Sequence, residues 1–419
     1  MKKTILSAML FAMGMATYAQ NAFNVGGDIS MLAEYERVST PYYTSTGTNI
    51  PDVLNYLKNT AKWNSMRVRL FVTPNKSTDP QLAQDLNYVQ KLGKRIKDAG
   101  LDFMLDIHYS DTWADPSNQT IPSTWMTNTS DAALTDSMYT YTKRCLEYLT
   151  ANGATPDFVQ IGNEVSYGML WRSNSDKLYS TTTAAWKRFT DFLSAGAKAV
   201  REVTPNAKII IHTERSGDAS ATVNFYKKLK TNNVDYDIIG LSYYPFWHKL
   251  LPTLSNTLNT LETNFPDKPV QIVETAYYYQ LPTGTDGFDD TTGTWADTPK
   301  GQKAFIEDLC TELAKHNNVT GLYYWFPEEN GNGGASWSAD KVVLTKWINR
   351  GLWDNSTHKA QPGLLSLQNF LNQKEAVGIN DIKVSTDANA VIYNLNGQRV
   401  STPTTPGIYI QGGKKFLNK

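Results

Sequence analysis

The chain has 419 residues, which suits one large barrel with a small appendage or two medium-sized domains. Its 40 basic and 40 acidic side chains balance, which excludes a broad positive field for binding nucleic acid or an anionic membrane. The 11 Trp, 23 Tyr and 15 Phe fit a large aromatic core and a carbohydrate ligand equally well, because the C–H faces of sugars pack on aromatic rings.

The N-terminus has the pattern of a cleavable signal peptide. Two lysines precede an apolar stretch at residues 5–15, and residues 17–19 begin and end with small side chains. We therefore expect residues 1–19 to be removed. The apolar stretch is too short to cross a bilayer, no other segment is predicted to be transmembrane, and no Cys follows the cleavage position to carry a lipid anchor. These features predict a secreted or periplasmic protein.

Eight apolar, strand-like runs then alternate with helical patterns. The predicted strands are Val25–Met31, Met66–Val72, Phe103–Tyr109, Phe158–Glu164, Lys208–Thr213, Ile238–Tyr244, Val270–Thr275 and Gly321–Phe326. The predicted helices are Pro51–Thr60, Pro80–Ala99, Asp131–Leu149, Thr182–Val203, Ala219–Leu229, Thr253–Thr263, Lys300–His316 and Gly363–Leu371. This alternation predicts an α/β fold, a (β/α)8 TIM barrel over residues 20–374.

The pattern changes after Lys374, where short strand signals surround an Asn-Gly turn. Residues 375–419 are therefore predicted to form a small β-rich tail. This tail resembles the C-terminal secretion or sorting segments of Bacteroidetes proteins.

Cys145 and Cys310, the two cysteines, fall in helices on non-adjacent sides of the predicted barrel. Two buried free thiols are expected there rather than a disulfide.

Polar side chains collect near the carboxyl ends of the predicted strands, which form the active-site face of such barrels. They are Arg67, Arg69, Asp106, His108, Asn163, Glu164, His212, Tyr243, Tyr244, Glu274 and Trp325. Charged groups inside apolar strands are destabilising unless they are paired. Structural ion pairs explain one or two of them, but the agreement of so many strands at the same end favours a functional site.

Two of these residues, Glu164 and Glu274, end strands four and seven, which lie across the barrel mouth from each other. In a retaining glycosidase one carboxyl group protonates the leaving oxygen and the other attacks the anomeric carbon, at a separation of about 5–5.5 Å. An isolated Glu at a strand end is most often an ordinary surface residue. Here the adjacent Asn163 and the surrounding polar set favour catalysis.

The chain resembles glycoside hydrolase family 53, the retaining endo-β-1,4-galactanases of clan A, from about Asn24 to Leu371. The most specific segment is the run His108–Pro116. Further segments are Gly26–Ser30, Arg67–Leu70, Gln119, Gly162–Val165, Leu241–Trp247, Glu274–Tyr277 and Tyr324–Trp325. The resemblance implies hydrolysis of β-1,4-galactan in pectin side chains, with Glu164 as general acid/base and Glu274 as nucleophile. The expected partner is galactan polysaccharide or oligosaccharide, and the enzyme is expected to be a monomer.

The resemblance also implies roles for the remaining polar residues. Asn163 would bond the sugar 2-hydroxyl, and Arg69 would lie near Glu274 and keep it ionised. Either Tyr243 or Tyr244 would donate to Glu274, because strand parity leaves the choice open. The other expected members of the site are His108, Asp111 and His212 as polar lining and Trp325 as floor. The side chains of Trp113, Trp125, Trp247 and Trp337 fit sugar stacking and ordinary packing equally well.

The chemistry itself requires no cofactor, but bacterial members of the family can carry calcium in the loop after strand seven. Asp286, Asp289 and Asp290 lie in that loop and could ligate a hard cation. Their spacing matches no motif, and Asp/Gly turns are common.

Two other functions stay open at this point. One is a sister clan A activity, a mannanase or a glucanase, because the sequence does not reveal the shape of the pocket. The other is a non-catalytic glycan-binding protein, against which the intact Glu164 and Glu274 argue.

Overall fold

Eight parallel strands close a barrel in the order in which they occur along the chain. They are β1 (Asn24–Asp28), β2 (Ser65–Leu70), β3 (Asp102–Ile107), β4 (Phe158–Ile161), β5 (Lys208–Thr213), β6 (Ile238–Ser242), β7 (Val270–Glu274) and β8 (Val319–Trp325). The ring closes between β1 and β8, where Asp28 pairs with Trp325. The predicted (β/α)8 barrel is thereby confirmed.

This computed structural model describes residues 23–178, 182–281, 293–334, 338, 340–380, 392–394, 399–400, 407–411 and 414–418. The predicted signal peptide lies outside these ranges. No helix within them is long and apolar enough to cross a membrane.

Ten helices occur in the described part of the chain. They are α1 (Leu32–Arg37), α2 (Val53–Asn59), α3 (Leu86–Asp98), α4 (Asp131–Ala151), α5 (Thr183–Val203), α6 (Ala219–Thr231), α7 (Pro245–His248), α8 (Leu251–Asn264), α9 (Pro299–Ala314) and α10 (Asn369–Asn380). Six of them have an N-cap residue whose side chain accepts a hydrogen bond from a backbone N–H of the first turn. These capping residues are Asp52, Asp85, Ser130, Thr182, Asp218 and Thr298.

Several predicted boundaries differ from the structure, and two of the differences have identifiable local reasons. Helix α3 was expected from Pro80 but begins at Leu86, because the Asp85 side chain accepts from the Tyr88 N–H and caps the helix there. Strand β4 was expected to reach Glu164 but ends at Ile161, because Gly162 takes a φ of +79° and turns the chain out of the sheet.

The strands are buried on both faces, as expected for a parallel barrel wrapped by helices. Cys145 on α4 and Cys310 on α9 are both buried free thiols, as the sequence predicts. Inside the barrel the carboxyl half is polar. Residues two apart on one strand share a face. Arg67 and Arg69 of β2 therefore both point inward, towards Asp28 of β1.

The last strands form a separate four-stranded antiparallel sheet in the order β12-β11-β13-β14. They are β11 (Ile392–Asn394), β12 (Arg399–Val400), β13 (Gly407–Gln411) and β14 (Lys414–Asn418). A separate, short parallel pair lies in the loop after β8 and consists of β9 (Gly333–Gly334) and β10 (Val343–Leu344). Helix α10 runs past Lys374, the position at which the composition changes. The division at residues 374 and 375 stays a prediction.

Candidate active site

A cavity of about 690 Å³ opens at the carboxyl ends of the barrel strands. Seven residues from the predicted site line it: Arg69, His108, Asn163, Glu164, Tyr244, Glu274 and Trp325. The structure thus brings residues of β2, β3, β4, β6, β7 and β8 together, as the strand-end pattern predicts.

Glu164 lies just beyond β4 in a strained turn. Its backbone adopts a φ of +47°, a conformation that non-glycine residues rarely take and that recurs at functional sites. Its Oε1 atom accepts a hydrogen bond from the Ser242 hydroxyl at 2.6 Å. Desolvation of the partly buried side chain raises the pKa of Glu164 well above its ordinary value, and the nearby Glu274 and Glu214 carboxylates add to the rise.

Glu274 ends β7 and is almost fully buried. Its Oε1 atom lies 2.9 Å from Arg67 Nη2, and its Oε2 atom accepts from the Tyr244 hydroxyl at 3.0 Å. Burial raises the pKa of Glu274, but the Arg67 guanidinium and the Tyr244 hydroxyl act in the opposite direction. No comparable cation pairs with Glu164 among the described residues, and the pKa of Glu164 is raised further. The contacts of the pair therefore favour an ionised Glu274 beside a protonated Glu164.

The sequence placed Arg69 near Glu274 as the cation that keeps it ionised, but Arg67 makes this ion pair. Arg67 also lies 2.7 Å from both Asp28 and Asp106, so one guanidinium serves three buried carboxylates. Arg69 stands one layer nearer the barrel mouth on the same face of β2. It pairs with Asp28 at 2.9 Å, and its guanidinium carbon lies 4.7 Å from the centre of the Trp113 ring.

The structure resolves the choice between the two tyrosines. Tyr244 faces Glu274, whereas Tyr243 points out of the barrel, where its hydroxyl donates to the Lys249 carbonyl at 3.0 Å and its ring stacks on Phe305. Tyr243 is therefore removed from the predicted site.

Asn163 and His108 are held in fixed orientations at the cavity wall. Asn163 accepts from Arg67 Nη2 at 2.9 Å through Oδ1 and donates to the Ala114 carbonyl at 2.8 Å through Nδ2. His108 accepts from the Ala114 N–H at 3.0 Å through Nδ1, and its Nε2 lies 3.0 Å from Asp106.

Two further residues expected to line the cavity lie elsewhere, which corrects the prediction. Asp111 organises the surrounding loops, accepting from the Thr73 N–H at 2.9 Å and the Ser123 N–H at 2.8 Å. His212 is fully buried behind the cavity wall, where it contacts Asn163 and Ser242. Neither is among the described residues that line the cavity.

Some of the candidate tryptophans line the cavity and others do not. Trp113 and Trp247 line the cavity, and Trp247 is 50% exposed, whereas Trp125 packs edge-on against Tyr141. Trp337 lies outside the described residues. Trp325 lines the cavity and is nearly buried.

Several lining residues were missed from the sequence. They are Asp79, Asp115, Glu214, Arg215, Asp218, Trp347 and Arg350. The Arg350 guanidinium lies between aromatic rings, 4.9 Å from the centre of Trp325 and 4.8 Å from that of Trp347. These residues come from strand exits and long loops, where no periodicity indicates which side chain turns inward. Asp115 lies within the run His108–Pro116 that carries the family resemblance, and Trp347 and Arg350 lie in the long loop after β8.

The proposed calcium ligands Asp286, Asp289 and Asp290 fall in residues 282–292, outside the described part of the chain. Among the residues that are described, no group of three or more His, Cys, Asp or Glu side chains has the arrangement of a metal site.

Comparison with known proteins gives consistent matches along the barrel. The profile of Glycosyl hydrolase family 53 matches residues 24–369. A probable arabinogalactan endo-beta-1,4-galactanase A from Neosartorya fischeri is 33% identical over 331 residues, covering 77% of this chain and 88% of that protein.

Solved structures agree with this match. The Ignisphaera aggregans GH53 catalytic domain superposes with a TM-score of 0.74 at 31% identity, covering 83% of this chain and 96% of that one. A fungal β-1,4-galactanase structure superposes with a TM-score of 0.69 at 26% identity, covering 82% and 98%.

Proposed function

The chain belongs to glycosyl hydrolase family 53, and we propose that it cleaves internal β-1,4-galactosidic bonds in galactan and in the type I arabinogalactan side chains of pectin. One observation carries the proposal. The family match spans the whole barrel, and the two strand-end glutamates, Glu164 and Glu274, line one cavity. The named relatives are galactanases, which supports galactan over mannan or cellulose as the substrate.

In the first step Glu274 attacks the anomeric carbon and Glu164 gives its proton to the departing glycosidic oxygen. A galactosyl ester forms on Glu274, the C1–O bond breaks, and the shortened chain leaves with that proton. The contacts of the pair support these roles, because Arg67 and Tyr244 favour an ionised Glu274 beside a protonated Glu164.

In the second step the Glu164 carboxylate takes a proton from water, whose oxygen attacks the same carbon. The ester bond breaks, Glu274 is released as a carboxylate, and Glu164 is protonated again. Two inversions at one carbon give net retention of the β-configuration. Esterification of Glu274 also removes its negative charge, which lowers the pKa of Glu164 and prepares it to act as a base.

Substrate contacts are assigned to the side chains that line the cavity. Asn163 is suited to the 2-hydroxyl of the sugar at the cleavage point, and Trp325 to the floor beneath it. Arg69 is a further contact, because its Nε and Nη2 atoms have no hydrogen-bond partner among the described residues. Trp247 is exposed enough to stack on a sugar beyond the cleavage point.

The remaining expectations are part of the same proposal. The enzyme is secreted or periplasmic after loss of residues 1–19, acts as a monomer, and needs no cofactor for its chemistry. Asp286, Asp289 and Asp290 are proposed ligands of a structural calcium. Chelation by EDTA should then lower the melting temperature, and added Ca²⁺ should restore it. An unchanged melting temperature would argue against the ion.

The test compares linear galactan, mannan and cellulose by the release of reducing ends, with Glu274→Gln as the inactive control. We expect cleavage of galactan, with large oligosaccharides appearing before small ones. Preference for mannan or cellulose would identify a sister activity. Binding of galactan without cleavage would identify a glycan-binding protein.

A further inference from the structure

A ring of hydrogen bonds runs from the backbone of Glu164 to its own carboxylate. The Glu164 N–H faces His212 Nδ1 at 3.4 Å, His212 Nε2 lies 2.8 Å from the Ser242 hydroxyl, and that hydroxyl lies 2.6 Å from Glu164 Oε1. His212 and Ser242 are both fully buried. Three successive strands, β4, β5 and β6, are linked in this way directly behind the acid/base residue.

We propose that Ser242, oriented by His212, is a positioning residue that donates its proton to the Glu164 carboxylate and favours the ionised form. The proposal deepens the function above and rests on Glu164 being the acid/base. Its importance lies in the second step, in which Glu164 has to act as a base.

The direction of the ring follows from the donors around His212. The Glu164 backbone N–H donates to Nδ1 at 3.4 Å, and Gln160 Nε2 lies 3.1 Å from the same atom and 3.2 Å from both the Gly162 carbonyl and Asn163 Oδ1. The Gln160 orientation is fixed, since its Nε2 donates to Asp106 at 2.5 Å. In the proposed arrangement Nδ1 accepts from the Glu164 backbone N–H and Nε2 carries the proton of a neutral imidazole. Burial lowers the pKa of His212 well below its ordinary value, which supports the neutral form.

In this arrangement the hydroxyl hydrogen of Ser242 is left with one acceptor. Because His212 Nε2–H donates to Ser242, the hydroxyl hydrogen of Ser242 points to Glu164 Oε1. A hydrogen bond donated to a carboxylate stabilises its charged form. The ring includes the backbone of Glu164, whose φ is +47° and whose N–H faces the imidazole.

The carboxylates near Glu164 act in the opposite sense to this hydrogen bond, and the cations that line the same cavity are Arg69, Arg215 and Arg350. Glu274 on β7, Glu214 after β5 and Asp115 in the loop after β3 are all acidic, and each disfavours a charge on Glu164. Tyr244, just beyond β6, also faces the pair and donates to Glu274 rather than to Glu164. The hydrogen bond from Ser242 opposes them and lowers the pH at which Glu164 loses its proton.

A second arrangement would have the opposite effect. His212 Nδ1 also lies 3.0 Å from Asn163 Oδ1, which already accepts from Arg67. If Nδ1 donated to Asn163 instead, Nε2 would need the serine proton. Ser242 could then only accept from a protonated Glu164, and it would favour the neutral acid. The two arrangements therefore predict pH shifts of opposite sign.

The test is the pH profile of kcat/KM for the wild type, Ser242→Ala and Ser242→Thr. We expect Ser242→Ala to move the upper limb to higher pH by about one unit, while Ser242→Thr, which keeps the hydroxyl, restores the wild-type limb. With an aryl glycoside that has a good leaving group, the second step limits turnover, and Ser242→Ala should lower kcat most at acidic pH. An unmoved limb, or one that moves to lower pH, would overturn the proposal.

A second measurement separates this inference from the assignment of substrate. The Glu164 carboxyl group can be titrated by ¹³C NMR in the full-length wild type and Ser242→Ala without any substrate. A higher midpoint in the variant supports the inference whichever glycan is cleaved, and an equal or lower midpoint rejects it. Urea unfolding of both proteins shows whether Ser242→Ala is folded under the conditions of the titration.

Discussion

The hydrogen bond from Tyr244 to Glu274 allows a quantitative test of how the nucleophile stays ionised. Tyr244→Phe removes a single hydroxyl that donates to Oε2 at 3.0 Å and keeps the ring. Both residues are less than a tenth exposed, so solvent screens the bond little. A hydrogen bond to a charged group contributes about 1.5–3 kcal/mol, and one pKa unit corresponds to about 1.4 kcal/mol. Losing the bond should therefore raise the pKa of Glu274 by about one to two units.

The consequence is a shift of the acid limb of the pH profile. Since Glu274 must be ionised to attack, the lower limb of kcat/KM moves to higher pH by the same one to two units. At pH values below the limb, activity on galactan should fall about 10- to 100-fold relative to the wild type. The limbs belong to the coupled Glu164–Glu274 pair, so the shift is taken from the whole profile.

Tyr243→Phe is the matched control. The neighbouring hydroxyl donates to the Lys249 carbonyl outside the cavity, so its loss should lower the free energy of unfolding by about 0.5–1.5 kcal/mol and leave both limbs in place. An unmoved acid limb in Tyr244→Phe, or equal shifts in the two variants, would refute the reasoning.

Three further predictions follow from the same geometry. Arg67→Met should lower the free energy of unfolding in urea by at least about 3–5 kcal/mol, because three buried carboxylates lose their shared cation, whereas Arg69→Met should be milder because Arg67 remains on Asp28. Equal losses would contradict the ranking. Glu164→Ala should impair galactan cleavage far more than cleavage of a good aryl leaving group, and azide should restore turnover as the β-glycosyl azide; an α-product would rule out the covalent intermediate. Deleting residues 381–419 should leave kcat/KM nearly unchanged, and an inactive or unfolded truncation would make the tail part of the catalytic unit.

The barrel and its two glutamates were predictable because each rests on a pattern of many residues. Eight apolar runs with helical spacing between them define the fold, and the carboxyl ends of parallel strands meet at one face. Glu164 and Glu274 end two such runs, so their common location needed no knowledge of side-chain contacts.

What the sequence left undecided depends on local register. Strand β6 shifts register against β7 between Leu241 and Ser242, and simple alternation does not carry across such an irregularity, so the choice between Tyr243 and Tyr244 stayed open. The two arginines of β2 share a face, so only the depth of each in the barrel decides which one reaches Glu274. Ser242 gave no signal, because one small hydroxyl in an apolar strand has the same appearance as a packing residue.

Trapping the intermediate tests the central claim most directly. A 2-deoxy-2-fluoro galactoside with a good leaving group slows both steps and should leave the sugar bound to the enzyme. The account predicts that the intact protein gains the mass of one fluorosugar, that the modified peptide contains Glu274, and that Glu274→Gln gains none. A label on any other residue, or galactan hydrolysis that yields the α-anomer without a trapped species, would contradict it.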